Sequence, residues 1–550
     1  MKRFITIIFS AAVLAAGCDP LDTMIDSYTT QETLDTQYSS VIRVAYAQYG
    51  YLVDGLGELD GNIAAAKSDE AVATSTSAAC RHFNNGSWSA YYNPDNRYDN
   101  FYKGIRAANF FLEDYGNYKE RLSFRRDTLA ENNRASWLRD IQNAQFLYSE
   151  AHVAKAYYYF ELAKRYGAVP LYKSVPTDKT FLPRTDVQEV FEYAVNEIDG
   201  CINSLAPDWS AYSDWSGRFD KGAAMALKAR ILLYSASPLN TEGMSDADIS
   251  AQWQKAAIAA HDIIAWGRFY LASEYSSLFT GNTSGNPEII MSRKSTSSNG
   301  LERENYPIGT PGGNSGITPS GNLVDAYEYI GAKDPQDPYA NRDKRFYATI
   351  VYNGAQWNGR TIDITENGTD SYLNTGASRT GYYLKKFLTD ELNIANDQVA
   401  AHQWIYFRYG EVLLNYAEAA NEAWGPDNGS FVSTGTSARK ALNMIRKRAG
   451  LGDVDLSRYA GTNDKERMRN AIKAERRVEL AFEDHRFWDL LRWKDHQALR
   501  EDISGVAYDG SSYTKTLVEK RVFEEHMLRY PVPFSEISKS NGVLEQNPGW

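Results

Sequence analysis

QNAQFLYSEAHVAKAYYYFELAKRY, residues 142–166, decides the fold class of this chain. Leu147, Ala151, Ala154, Tyr158 and Leu162 recur at steps of three and four, the spacing that brings side chains onto one helical face. Gly167 and Pro170 follow in the order that ends a helix. The period continues outward. Asp186 opens another helix, with Val190, Tyr193 or Ala194, and Glu197 or Ile198 down one side. GAAMALKARILLYSASP (222–238) sets Ala223, Leu227, Ile231 and Tyr234 in a stripe stopped by Pro238, and WQKAAIAAHDIIAW (253–266) is Ala-rich and stopped by Gly267. Segments 404–424, 437–449 and 465–493 read as three more helices. Ala417 and Ala420 beside Tyr416 allow close helix approach, as in paired tetratricopeptide helices, although no fixed repeat period runs through the chain. The expected class is all-α: a tetratricopeptide-like scaffold of helical pairs with long irregular ligand-binding loops.

Residues 270–403 have a different texture. GNTSGNP (281–287) and GTPGGNSGITPSGN (309–322) are dense in turn formers, and only short β-prone pieces such as Phe346–Tyr352 interrupt them. The expected organisation is a signal segment at 1–17, a tether at 18–40, a helical region at 41–269, a loop-rich region at 270–403 and a second helical region at 404–550.

The first residues, MKRFITIIFSAAVLAAGCDPLDT, combine a basic start (Lys2, Arg3), an apolar run from Phe4 to Ala16, and small residues directly before Cys18. That run is shorter than the roughly 20 residues a membrane-spanning helix needs. It reads as a lipobox that leaves Cys18 acylated at the new N-terminus; the alternative is an ordinary secretory signal with an incidental cysteine. Cys80 and Cys201 remain, as a bridge or as two buried thiols, and no zinc-type spacing is present.

The chain has 550 residues, 43% hydrophobic and 23% charged, with a net charge of −11 that disfavours nucleic acid as a partner. Its aromatic content is unusual: 38 Tyr and 12 Trp against 8 Met. Such rings suit interhelical packing, and equally suit ligands that mix apolar faces with hydroxyl groups.

Catalytic signals are weak. The seven histidines are scattered, and no H-E-x-x-H, G-x-S-x-G or phosphate-loop pattern occurs. His485 and His496 are too far apart for one metal if their helix is continuous. Glu475, Glu479 and Glu483 alternate with Arg476, Arg477 and Arg486, which reads as helix-surface or interhelical ion pairing, not as an acid/base pair. DPQDPYANRDKRF (334–346) has oxygen ligands at calcium-like spacing but reads better as Asx-stapled turns. No cofactor, metal or catalytic residue is expected. In NNGSWSAYYNPDNRYDNFY (84–102), Trp88 and Tyr91 stand beside Asn93, a pattern for stacking on a sugar face while amides take hydroxyls. Trp88, Tyr91 and Tyr306, with Asn93, are the expected ligand-binding residues.

Taken in order, several segments resemble the SusD/RagB family of surface nutrient-binding lipoproteins. They are YKGIRAANFFL (102–112), EAHVAKAYYYFELAKRYGAVPLY (150–172), RFDKGAAMALKARILLYSASPLN (218–240), LVDAYEYIGAKDPQDPYANRDKRFYATIVYNGAQW (323–357), FRYGEVLLNYAEAANEA (407–423), ALNMIRKRAGL (441–451), ERRVELAFEDHRFWDLLRW (475–493) and the closing YPVPFSEISKSNGVLEQNPGW (530–550). The resemblance implies lipid anchoring in an outer membrane with the protein exposed at the cell surface, and a SusC-like TonB-dependent β-barrel transporter as partner. It implies a ligand that is an oligosaccharide or, in the RagB branch, a peptide, and no chemistry. It assigns Asn341, Arg342, Asp343, Arg345 and Trp357 to bracing the fold. A secreted glycosidase is the reading from another class, and it would need two facing carboxyl groups in a cleft.

Overall fold

The computed structural model describes residues 36–124, 126–176, 181–209, 215, 217–281 and 283–550. Cys18, the signal segment and residues 18–35 of the tether lie outside the described residues. The chain divides into two compact units. The smaller comprises described residues up to Val44 together with Asn117–Ala144. Within it Trp137 Nε1 donates to Ser123 Oγ (3.1 Å), Asn143 Nδ2 donates to Tyr38 Oη (2.6 Å), and Arg126 pairs with Asp140 (2.7 Å).

The larger unit, Ala45–Gly116 with Gln145–Trp550, carries the scaffold. The 142–166 period belongs to a longer helix, Glu131–Tyr166, closed by Gly167 at φ +74. Asp186 caps Val187–Cys201 by accepting from Gln188 N, and Asp220 caps Lys221–Ala236 by accepting from Ala223 N. Helix Asp246–Trp266 lies against both Lys221–Ala236 and Tyr409–Trp424; the latter also packs on Ala438–Arg448 and Asp464–Glu479. Alanines on these faces (Ala256, Ala257, Ala260, Ala417, Ala420) are fully or almost fully buried, which is what close helical pairing requires. The result is a tetratricopeptide-like row of helical pairs. Strands are short and form two-stranded antiparallel sheets, including Ile289–Lys294 with Gln403–Arg408 and Ile503–Tyr508 with Tyr513–Glu519. Cys80 and Cys201 are separate buried thiols.

Three elements differ from the sequence reading. Residues 403–408 are a fully buried strand, and the helix begins at Tyr409. The β-prone stretch at 346–352 is mostly the helix Lys344–Thr349, because Asp343 accepts from Arg345 N and caps it. The 465–493 segment is two helices, Asp464–Glu479 and Arg486–Arg492. No Pro or Gly marks that break. Buried cations and a hydroxyl take up the freed carbonyls instead: Arg408 Nη2 and Tyr275 Oη donate to Glu479 O, and Lys386 Nζ to Ala481 O. Phe482 and Asp484 then turn at φ +65 and +56, so His485 and His496 do not share one helix.

That junction is the centre of a buried charge network. Arg408 uses all five of its donors, on Glu288, Glu479, Glu483 and the Glu479 carbonyl, at 2.7 to 2.9 Å. Glu479 also receives Arg345 (2.8 Å) and Arg448 (2.5 Å). Burial alone would raise its pKa, but the three guanidinium groups hold the carboxyl far below the ordinary range. Arg345 further pairs with Asp343 (2.6 Å) and Glu475 (2.7 Å), and Arg342 donates to the carbonyls of Val324 and Tyr327. These are bracing contacts, as the family resemblance implies for Arg342, Asp343 and Arg345.

Gly410 sits against this network: a Cβ there would lie 2.3 Å from Arg408 Nη1 and 2.8 Å from Glu288 Oε1. Alanine favours a helix over glycine by about 1 kcal/mol, yet Gly410→Ala is expected to lower stability in urea unfolding; a gain would show that the network yields freely. A second prediction concerns pH. Burial, with Asp69 beside it, lifts Glu70 from 4.5 to about 8. Between those values the folded protein holds a proton that the unfolded chain has released. Stability attributable to Glu70 therefore falls as pH rises from 4.5 to 8, by up to about 1.4 kcal/mol per pH unit. Glu70→Gln should flatten this part of the stability–pH curve, and an unchanged slope would refute the assignment.

Candidate functional site

The 86–97 loop leaves a short helix, Arg81–Asn85, through Gly86 at φ +73. Ser89 and Tyr92 exchange backbone hydrogen bonds (2.8 and 3.2 Å), making a tight turn with Ala90 and Tyr91 at its tip. Ala90 O accepts from Phe534 N (3.0 Å), which ties the tip to the helix Phe534–Lys539. Tyr91 is 77% exposed, and its ring lies 4.6 Å from that of Phe534, inclined at 30°. Phe534 is itself 44% exposed, so the pair offers a wide apolar face to solvent. Tyr92, half exposed, stands edge-on to His82 at 4.8 Å.

Below the tip the loop is anchored by charge. Asp95 is fully buried and accepts from Arg165 Nε (3.2 Å) and Tyr530 Oη (3.0 Å). Burial would raise its pKa, but Arg165, Lys67 and Arg97 hold it well below the usual carboxylate range. Asn93 Oδ1 accepts from Asp95 N (2.9 Å) in an Asx turn, and its Nδ2 has no hydrogen-bond partner.

The chain then enters helix Tyr98–Asp114, where Tyr98, Tyr102, Arg106 and Asn109 fall on one face and line a cleft of about 210 Å³. Tyr172, Phe181 and Pro170 form the facing wall, and Glu536, two residues from Phe534, closes it. Tyr98 and Tyr102 have ring centroids 4.9 Å apart, and Tyr172 stands edge-on to Tyr102 at 5.8 Å. Backbone carbonyls fix these rings: Tyr102 Oη donates to Pro170 O (2.8 Å), and Asn109 Nδ2 donates to Tyr172 O (3.2 Å). An aromatic cleft edged by Asp99, Arg106 and Glu536 can take the apolar faces of a polyhydroxylated ligand and hydrogen-bond its rim.

The expected ligand residues divide. Tyr91 is the exposed platform, and Asn93 sits two residues along the same loop. Trp88 is buried at 3% exposure among Phe83, Tyr530 and Trp550, with ring centroids 4.6 to 5.0 Å away, so its faces are occupied by protein. Tyr306 is fully buried, edge-on to Trp357 at 5.6 Å, and donates to Thr389 O; it is not part of this loop. Burial corrects the expectation that Trp88 and Tyr306 present stacking faces: the apolar rings fill the core, and the loop's exposure falls on its tip. Sequence reading missed Tyr98, Tyr102 and Phe534. The i, i+4 spacing of the two tyrosines was visible, but the partner wall comes from Pro170, Tyr172 and Phe181 and from Glu536 and Leu544.

Glu475, Glu479 and Glu483 are ion-paired inside the network, not arranged as a catalytic pair. Asp334 and Asp337 accept from backbone N–H groups two residues on, which are Asx turns. Among the described residues no group of three or more His, Cys, Asp or Glu is placed to hold a metal.

Comparison with known proteins bears on this arrangement. Residues 282–550 match the model of the SusD family, and residues 21–233 match a model described as starch-binding associating with outer membrane. The SusD-like protein P38 of Formosa agariphila is 26% identical over 390 residues, 67% of this chain and 70% of the relative. A SusD-like protein from Bacteroides fragilis shares the structure with a TM-score of 0.76 at 26% identity, over 95% of this chain and 99% of the other. A SusD-like carbohydrate binding protein from the same species has the same fold, with a TM-score of 0.73 at 23% identity over 93% and 100% of the two chains. So does a laminarin binding SusD-like protein, at 0.59 and 21% over 94% and 99%.

Trp88→Ala should cost about 3–5 kcal/mol of stability, whereas Tyr91→Ala should change stability by no more than about 0.5 kcal/mol. Thermal unfolding of the two variants checks this, and equal melting temperatures would contradict the burial argument.

Proposed function

The chain belongs to the SusD/RagB family, and from that membership we propose that it is a surface lipoprotein that captures oligosaccharides and delivers them to a SusC-like TonB-dependent transporter. The observation that carries the reading is the exposed Tyr91–Phe534 pair beside a tyrosine-walled cleft. Stacking on sugar faces uses such rings, and affinity then comes from a few aromatic contacts supplemented by hydrogen bonds. The names of two structural neighbours, carbohydrate binding and laminarin binding, support the ligand class.

Attachment is assigned to acylated Cys18. No described helix is long and apolar enough to cross a membrane, and one family model is described as associating with outer membrane. Binding proceeds without catalysis: the two carboxylates at the cleft edge are each paired with a lysine, Asp99 with Lys103 (2.6 Å) and Glu536 with Lys539 (2.6 Å), and the carboxylates suggested by the sequence are locked in ion pairs.

Calorimetry of the protein lacking residues 1–18 against malto-, laminari- and galacturono-oligosaccharides tests the reading. At least one series should bind, and the Tyr91→Ala/Phe534→Ala double variant should bind it about thirtyfold more weakly, the effect of losing about 2 kcal/mol of stacking. An unchanged affinity would remove the site, and release of new reducing ends would remove the non-catalytic claim.

A further inference from the structure

A second cavity, of about 270 Å³, lies among residues 276–280, 344–348, 357 and 385–390. It shares no residue with the tyrosine cleft. Its walls carry three lysines and a single carboxylate, in a chain whose net charge is −11.

The three lysines do different work. Lys386 is buried and points inward, donating to Tyr275 Oη, Ala481 O and Glu483 Oε1 at 2.6 to 2.7 Å. Lys344 and Lys385 form no ion pair or side-chain hydrogen bond among the described residues, and they face solvent to different degrees, Lys344 exposed and Lys385 partly so. Asp390, the one carboxylate, is held by the backbone N–H groups of Glu391 (2.9 Å) and Asn358 (3.3 Å). Two lysines therefore line the cavity without an ion pair among the described residues.

The framework between them is fixed. Phe387 follows the two lysines at φ +70, a conformation a bulky residue adopts only under constraint, and its ring is buried against Phe279 at 5.2 Å. This turn sends Lys386 into the core network and leaves Lys385 at the cavity. Lys385 Nζ lies 5.8 Å from the centre of the Trp357 ring, which forms part of the wall; the indole N–H of Trp357 has no hydrogen-bond partner. A neighbouring cavity of about 410 Å³ shares Phe279 and adds Lys294, also without an ion pair.

We propose that this groove is an anion-binding site that receives the carboxylate or sulfate groups of an acidic saccharide, with Lys344 and Lys385 as the contact cations and Lys294 extending the positive edge. The inference rests on the glycan-binding reading and narrows it to ligands carrying charge. Ammonium groups recognise such anions as point charges and tolerate either geometry, so uronate and sulfate ester share the chemistry. Contacts at this exposure are screened within about 8 Å at physiological salt, which makes ionic strength a diagnostic variable.

Three probes separate the possibilities: trigalacturonate, a sulfated oligosaccharide, and a neutral oligosaccharide of equal length. They are titrated into the protein lacking residues 1–18 at low and physiological salt. An acidic probe should bind more tightly than the neutral one and weaken as salt rises, and Lys344→Gln/Lys385→Gln should reduce its affinity about tenfold, two partly exposed charge contacts of up to about a factor of five each. Which acidic probe binds identifies the source of the anion. The lysine variant should leave melting temperature and neutral-probe binding unchanged. If the neutral probe binds through Tyr91 and Phe534 while acidic probes show no advantage or no loss in the lysine variant, this inference fails and the glycan reading stands. If no probe binds at all, both fail.

Discussion

Glu479 is the constraint on which the larger unit depends. Its carboxylate is wholly buried and accepts from Arg345, Arg408 and Arg448, which come from a short helix, a strand end and a helix C-terminus far apart in sequence. A buried charge is costly unless it is paired, and here Arg408 has every donor engaged. Removing one member leaves several charges uncompensated. The network favours the arrangement that brings the 345, 408 and 448 segments together, because Glu479 is fully compensated only when all three cations reach it. Gly410, with no room for a Cβ beside Arg408, shows that the backbone has been shaped to that placement.

Tyrosine plays the complementary role in the loops. Hydroxyl groups reach backbone carbonyls in neighbouring segments: Tyr102 to Pro170, Tyr159 to Tyr172, Tyr406 to Val53, and Tyr416 to Thr436. The ring fills the space between helices while the hydroxyl satisfies a carbonyl that has no regular partner. Irregular segments can thereby be buried against helices without orphaned polar groups. This accounts for these tyrosines as scaffold, and it makes the exposed rings, Tyr91 above all, the informative ones.

What could be read from the sequence follows the range of the interaction. Helices with a three-four stripe and a local stop, such as Lys221–Ala236 and Asp246–Trp266, were legible because cap and periodicity lie within the segment. The break after Glu479 was not, since the helix stop is supplied by Arg408, Tyr275 and Lys386, which donate to its carbonyls from other parts of the chain. Strand 403–408 was hidden for a related reason: buried on both sides, it lacks the alternation that distinguishes a strand from a helix turn. At the candidate site, the loop 84–102 stands out in the sequence as aromatic and amide-rich, but which ring packs and which projects depends on Tyr530 and Trp550 at the far end of the chain.

In the proposed readings the two cavities divide recognition by physics. Stacking in the tyrosine cleft responds to the apolar faces of a sugar and is nearly indifferent to its charge. The lysine-bordered groove responds to charge and little to ring shape. A chain with net charge −11 repels a polyanion at low salt, so the lysines must hold an acidic ligand against that field. Their influence is confined to contact distance, within the screening length. Exposed charges of this kind act on the arrival of an acidic ligand as well as on its dissociation, so the loss of the lysine contacts on adding salt appears in both rates.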